Sequence, residues 1–234
     1  MIAVIGEGGL AEGVAMACPA ATLVGSHAFD GPFLWRKADL DTGEGVLAAL
    51  GETQRVIVVL DRPRQAHGTF AVLTRRPTSV AVVFPLGNPP SALERLPEWS
   101  QVAVPPCWGG RSPLVRRWSS IIKGGGHLWI PNLGVRQVCA AVDAVPAVLA
   151  ASETPGVRWS IGSESATLHE LAQAISAHHR YPLRATRAPR AIARVLGRTP
   201  EDFFDLWFKA NGPTPSSGGP SIERAGKKGW LAGL

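Results

Sequence analysis

Short apolar runs recur along the first half of the chain and set its architecture. Ile2-Ala3-Val4-Ile5 is the first, followed by Ala21–Gly25, Phe33–Ala38, Val56–Leu60, Ser79–Phe84 and Gln101–Val104. Runs such as Val56-Ile57-Val58-Val59-Leu60 carry no polar alternation, the pattern of parallel strands covered on both faces. Between them lie segments of helical character: Ala11–Cys18 ended by Pro19, Thr42–Leu50 with Thr42 as N-cap, Gly68–Arg76, and a brief piece around Ser91–Leu96. Strands alternating with helices predict an α/β fold built on a doubly wound parallel sheet. Gly25 and Phe33 stand too close for a helical crossover, which takes roughly a dozen residues, so an extended link is expected there.

The second half reads differently. Leu114–Ile122 is helical, Gly124-Gly125-Gly126 is a turn, and Val135–Val142 is extended. Asp143 is expected to cap a helix with Pro146 in its first turn, and Val157–Ile161 is a further strand. Thr167-Leu168-His169-Glu170 forms a capping box opening a helix to His179, with Leu168, Leu171, Ala172 and Ile175 on one face. The expected organisation is a nucleotide-binding core over residues 1–160, to which Pro105–Gly134 adds part of a lobe. A small helical C-terminal lobe follows over residues 161–212, where the aromatic block Phe203–Phe208 should pack, and 213–234 is a linker and basic tail.

Chemistry enters at the first turn. Strand, glycine turn and small-residue helix give the dinucleotide fingerprint G-x-G-x-x-G/A as Gly6, Gly8 and Ala11. No side chain blocks a pyrophosphate there, and the free N–H groups of a helix start point at its charge. Gly6, Gly8, Gly9, Leu10 and Ala11 are therefore the expected cofactor contacts. The acid that usually holds ribose at the end of the second strand has no clear counterpart among Gly25, Ser26 and His27, with Asp30 further on, so NAD and NADP are both expected.

Composition narrows the rest. A hydrophobic fraction of 45% and a charged fraction of 18% describe a globular chain, and no apolar run reaches a bilayer-spanning length. The first basic residue is Arg36, and Glu7 and Glu12 interrupt the apolar start, so a signal peptide is not expected and a cytoplasmic protein is. The net charge of +6 comes mostly from arginine, which suits an anionic ligand or acidic partner and equally a solvated surface. Arg184, Arg187, Arg190 and Arg194 lie in a run from Arg180 to Arg198 at three- or four-residue spacing, with a continuous helix limited to roughly Arg190–Gly197. No recognition motif accompanies this charge, which argues against nucleic acid. Cys18, Cys107 and Cys139 lack metal spacing and are expected as reduced core thiols, and His169, His178 and His179 as solvated; no metal is expected.

The order of motifs resembles the extended short-chain dehydrogenase/reductase family of NAD-dependent epimerase/dehydratase type. Asp39-Leu40-Asp41 is similar to its adenine-contacting "D-L-x-D" step, and Gln65-Ala66-His67-Gly68-Thr69 to its "N-x-x-G-T" helix start. Val102–Pro106 with Trp108-Gly109 resembles "ilRp-x-x-vyG", Val138–Val148 resembles "vhvdDva-a", and Thr167–Leu171 resembles "tl-el". The end, Ser221–Ala225 to Gly229-Trp230, resembles "s-x-x-kA-x-x-x-lGw". The resemblance implies a Rossmann-like sheet, a nicotinamide dinucleotide as ligand, and Asp39 and Leu40 as adenine-side contacts.

The departures fall on chemistry. Glu12 stands where the family's G-x-x-G-x-x-G has its third glycine, and a carboxylate there is expected to disfavour a pyrophosphate. The family's Tyr-x-x-x-Lys pair, in which lysine lowers the tyrosine pKa, has no counterpart: Tyr181 is the one tyrosine, and Phe84 to Gln101 is too short for the helix that would carry the pair. Phe84-Pro85-Leu86-Gly87 also replaces the serine-rich strand end. A dinucleotide-binding pseudoenzyme with a sensing, scaffolding or partner-binding role is therefore expected, with no catalytic residue assigned. One alternative is an atypical NAD(P)-dependent reductase or epimerase using Asp61, Cys107 or His127 as acid on a sugar nucleotide or small carbonyl compound. The other is an interaction protein that has lost the nucleotide.

Overall fold

Seven parallel strands form the central sheet. They are β1 (Ile2–Gly6), β2 (Thr22–Gly25), β3 (Leu34–Lys37), β4 (Arg55–Val59), β5 (Ser79–Pro85), β6 (Ser100–Val104) and β10 (Arg158–Ser160), in the order β10-β6-β5-β4-β1-β2-β3. A computed structural model describes residues 1–18, 20–28, 31–60, 63–75, 79–85, 89–162, 164–189 and 226–234. Registers are continuous across the middle, with Ala3 opposite both Thr22 and Val56, and Ile57 opposite Ala81. The chain winds outward from β1 to β3, then returns to build β4, β5 and β6 on the other side, which is the doubly wound order. β2 and β3 pair in parallel, and no helix lies among the described residues that link them.

Each face of the sheet is covered. On one, Val46, Ala49 and Leu50 of α2 (Val46–Leu50) and Ala66, Phe70 and Leu73 of α3 (Pro63–Leu73) pack on Ala3, Ile5, Val56 and Val58. On the other, Leu10, Val14 and Ala15 of α1 (Gly8–Ala17) and Ala144, Ala147 and Val148 of α5 (Ala141–Glu153) cover Val4, Leu23, Ile57 and Ala81. Alternate residues of one strand thus serve opposite faces, which is why the runs show no polar gaps.

A separate apolar cluster builds the lobe. It joins Trp108 of β7 (Cys107–Trp108), Leu114, Val115 and Trp118 of α4 (Pro113–Lys123), Leu128 and Ile130 of β8 (Leu128–Pro131), and Val138 of β9 (Arg136–Ala140). Ala166 of β11 (Glu164–Ala166), Leu171 and Ile175 of α6 (Leu168–His179) and Ala188 of β12 (Ala185–Ala188) complete it with Trp230. β11, β9 and β7 form a three-stranded sheet, and β12 pairs in parallel with β8. The segment expected as helical therefore also contributes two strands. The chain end is not free: the 3-10 turn Gly226–Leu231 buries Trp230 edge-on against Trp108, centroids 4.6 Å apart, and the Trp230 indole N–H donates to Glu164.

Several helix ends differ from expectation. α1 begins at Gly8, not Ala11, and α3 begins at Pro63, where a missing N–H costs nothing in the first turn. α2 is shorter than the Thr42 start implied. Asp39 Oδ1 accepts from the N–H groups of Asp41 at 2.9 Å and Thr42 at 3.1 Å, holding a turn, and Gly45 at φ +79° precedes the helix. Asp143 lies within the first turn of α5, and Pro146 lies inside that helix, forfeiting one main-chain bond. His169 and His179 are half-buried, not solvated, because α6 packs on α4. His179 Nε2 bonds the Ser119 hydroxyl, and burial, with Lys123 and His178 nearby, pulls its pKa down. The Phe203–Phe208 block and the Pro213–Pro220 linker lie outside the described residues.

The capping box of α6 is complete. Glu170 N–H donates to Thr167 Oγ1 at 3.2 Å, Thr167 N–H donates to Glu170 Oε2 at 2.8 Å, and Lys227 Nζ reaches Glu170 Oε1 at 2.7 Å. Lys227 first, then the Thr167 N–H, holds the Glu170 carboxyl below its usual range. A carboxylate favoured by the fold stabilises it at pH values above the unfolded pKa and ceases to do so as pH falls through the folded one. Thr167→Ala should lower stability by about 1 kcal/mol, read as a fall of roughly 2–4 °C in melting temperature. Lys227→Ala should flatten the decline of melting temperature on acidification; an acid limb identical to wild type would show that this ion pair contributes nothing.

Candidate functional site

The site is the carboxyl edge of the sheet at the point where strand order reverses, outside the ends of β1 and β4, where open α/β sheets place ligands. Its shape follows from the glycines. A Cβ on Gly6 would lie 2.7 Å from the carbonyl oxygen of Val59 and 3.2 Å from the Ala11 Cβ, so only glycine lets β1 turn into α1 this close to β4. Gly8 follows at φ +80°, a left-handed conformation. Leu10 and Ala11 are buried in the first turns of α1, against the sheet.

Glu7, between the first two glycines, reaches sideways to β2. Its Oε1 accepts from Ser26 N–H at 3.1 Å and bonds His27 Nδ1 at 3.3 Å. A carboxylate thus stands beside the end of β2, supplied by the turn that leaves β1. Its only sequence signal is a carboxylate inside a glycine motif.

Glu12 is the second acid of the turn, and its surroundings change the expectation attached to it. Its side chain is only 4% exposed, and Oε2 accepts from Arg111 at 3.2 Å and Arg116 at 3.1 Å. Two guanidinium groups against one carboxylate leave that end of α1 positive, so Glu12 alone does not make the turn hostile to an anion. The same segment comes closer still at Gly9, where a Cβ would lie 2.8 Å from Ser112 N. The missing side chain of Gly9 is thus used by the chain's own loop. Glu7 borders the tight turn at Gly6 and Gly8, while the side of Gly9 that its Cβ would fill is covered by residues 111–112.

Asp39 and Leu40 sit at the adjoining strand end. Leu40 is buried in the core and the exposed Asp39 closes the turn described above. This turn docks on α3: a Cβ on Gly68 would be 2.3 Å from the Asp41 carbonyl oxygen, and Thr69 Oγ1 donates to Leu40 O at 3.2 Å. The two family-like steps, around Asp39 and around Gly68, are therefore two sides of one contact.

Among the described residues, the acid candidates Cys107 and His127 do not come together. Asp61 lies outside the described residues, Cys107 pairs with Cys139, and His127 Nε2 bonds Thr186 Oγ1 at 2.9 Å in the lobe. Tyr181 is 47% exposed just beyond α6. The described part of the link from β5 to β6 contains only the 3-10 helix Ser91–Arg95. Arg187 is exposed on β12 and Arg184 is exposed just before it; Arg190, Arg194 and Arg198, with the helix expected over roughly Arg190–Gly197, lie outside the described residues. Among the described residues no group of three or more His, Cys, Asp or Glu is arranged to hold a metal ion, and no helix is long and apolar enough to cross a membrane.

No protein-family model and no curated relative matches the sequence. Solved structures do match. The UDP-glucose 4-epimerase of Thermus thermophilus, crystallised with NAD, is 13% identical with a TM-score of 0.62, covering 90% of this chain and 98% of that one. The Bordetella bronchiseptica enzyme WbmH in complex with NAD+ is 12% identical with a TM-score of 0.61, over 80% and 85% of the two chains. The UDP-N-acetylglucosamine 4-epimerase of Bacillus cereus is 12% identical with a TM-score of 0.55, over 90% and 99%. The fold of this chain is similar to that of these enzymes, a Rossmann-like α/β arrangement on a doubly wound parallel sheet.

Removing both arginines while Glu12 remains would leave a buried carboxylate without partners. Arg111→Ala with Arg116→Ala should therefore cost about 3 kcal/mol in denaturant unfolding. Adding Glu12→Ala to that background should recover most of it, and a triple variant no more stable than the double would refute the clamp.

Proposed function

We propose that this protein binds a nicotinamide dinucleotide, NAD in preference to NADP, and uses it in a sensing or partner-binding role without the Tyr–Lys chemistry of its fold. The carrying observation is Glu7, whose Oε1 joins the glycine turn to Ser26 and His27 at the end of β2. A carboxylate at that edge accepts hydrogen bonds from ribose hydroxyls and repels a 2′-phosphate. The neighbours crystallised with NAD support the ligand class, and the tight turn at Gly6 and Gly8 supports its place.

The non-catalytic part rests on what flanks that turn. One tyrosine in the whole sequence, exposed on the lobe, offers no phenol at the sheet edge. A proton-transfer group must stand within hydrogen-bond reach of the reacting hydroxyl; of the described acid candidates, Cys107 is paired with Cys139 and His127 with Thr186 in the lobe.

A second reading is favoured by one specific observation. Residues 111–112 pack on Gly9, so the fold can be held together at this turn without a nucleotide and serve only as an interaction scaffold.

Titration calorimetry with NAD, NADH, NADP and NADPH separates the two. The expected result is binding of the NAD forms at least about tenfold tighter than the NADP forms, a difference of about 1.4 kcal/mol. Glu7→Gln should narrow that gap, and no steady turnover of sugar nucleotides or carbonyl compounds should accompany binding. Silence with all four nucleotides would leave the scaffold reading standing, and steady turnover would end the non-catalytic one.

A further inference from the structure

Two of the three cysteines meet in space. Cys107 on β7 and Cys139 on β9 are directly opposite in a parallel pair, and their Sγ atoms are 3.0 Å apart. The carbonyl oxygen of Pro105 lies 3.3 Å from the Cys107 sulfur and 3.9 Å from that of Cys139, on the same side of the strands. The thiols differ in access: Cys107 is partly exposed, and Cys139 is 3% exposed within the core. Cys18, the third, is buried at the far end of α1. A reactive dithiol needs this asymmetry, one sulfur that an oxidant can reach and a second held beside it.

We infer that Cys107 and Cys139 form a reversible redox site, a dithiol that closes to an intramolecular disulfide on exchange with a low-molecular-weight disulfide. The Cys107 thiolate attacks one sulfur of the oxidant, whose other half leaves as a thiol. Cys139 then attacks the Cys107 sulfur, forming the Sγ–Sγ bond and expelling the second half as a thiol. The two cysteines together give up two electrons and two protons, and the oxidant is reduced to two thiols. The hydrogen bond with Cys107 is the foremost cause, ahead of burial, holding the Cys139 thiol protonated, and capping Cys107 as a mixed disulfide removes that cause. Closure links β7 to β9 around α4 and β8, and β7 leads directly into the segment that covers Gly9.

The test uses the full chain equilibrated in buffers of varied reduced-to-oxidised glutathione ratio, then quenched, alkylated and mapped without reduction. The expected product is lighter by two hydrogens, carries a peptide linking Cys107 to Cys139, leaves Cys18 alkylated, and melts about 5 °C higher or more. Dithiothreitol should reverse it, and Cys139→Ser should stop at glutathione on Cys107. The inference is overturned if wild type accumulates that same mixed disulfide, if Cys18 supplies the bond, or if all three thiols stay free in the most oxidising buffer. The wild-type peptide map decides the matter should the variant not fold.

Discussion

Main chain touches main chain at the turn leaving β1, and this lack of space governs the carboxyl edge of the molecule. A side chain at position 6 would strike Val59, and one at position 9 would strike Ser112. The first contact sets how α1 departs from the sheet. The second sets where α4 and the lobe behind it sit against α1. Glu12 adds an electrostatic fastening to the same junction through Arg111 and Arg116. Sheet, first helix and lobe are thus joined within one turn of α1, which makes this turn as important to architecture as to any ligand.

The family-like motifs become intelligible as contacts. The turn at Asp39–Asp41 fits the gap left by Gly68, with Thr69 bonded to Leu40. Trp108, in the "vyG" place, meets Trp230, in the terminal "Gw" place, edge-on. Thr167 and Glu170 cap α6 and receive Lys227 from the same tail. Each motif has its partner in another motif far along the chain. Such pairs persist as long as the fold does, whereas the Tyr–Lys pair serves only a reaction. Contacts of this kind hold the fold together and explain why it is kept at 12–13% identity to the structures it matches.

The same distinction explains how far the sequence could be read. Runs such as Val56–Leu60 and Val80–Phe84 became strands because burial on both faces writes itself locally, as continuous apolar residues, whereas the edge strand β3, largely exposed, is held by its pairing with β2. The capping box was legible for a similar reason, since both partners lie within one turn. What escaped depends on distant partners. β12, Ala-Thr-Arg-Ala, has no apolar pattern and is a strand only because β8 lies beside it. Thr42 looked like an N-cap until Asp39 took its N–H for a turn. Cys107 and Cys139 read as isolated core thiols, because nothing in their spacing reveals a shared register.

Glu7 and Glu12 illustrate the limit most clearly, being the same residue type five positions apart on one motif. From sequence only Glu12 counts against an anionic ligand, and Glu7 carries no assigned role. In the fold they act in opposite senses. Glu12 draws two arginines to the start of α1, and their charge adds to the positive end of the helix dipole. Glu7 instead bonds a backbone N–H and a histidine ring, so its charge still faces the edge of β2. The turn therefore carries arginine charge beside Glu12 and carboxylate charge beside β2, a polarity set by which side of the helix start each carboxylate occupies. Residue type alone does not carry that information; the rotation of α1 on the sheet does, and Gly6 fixes that rotation.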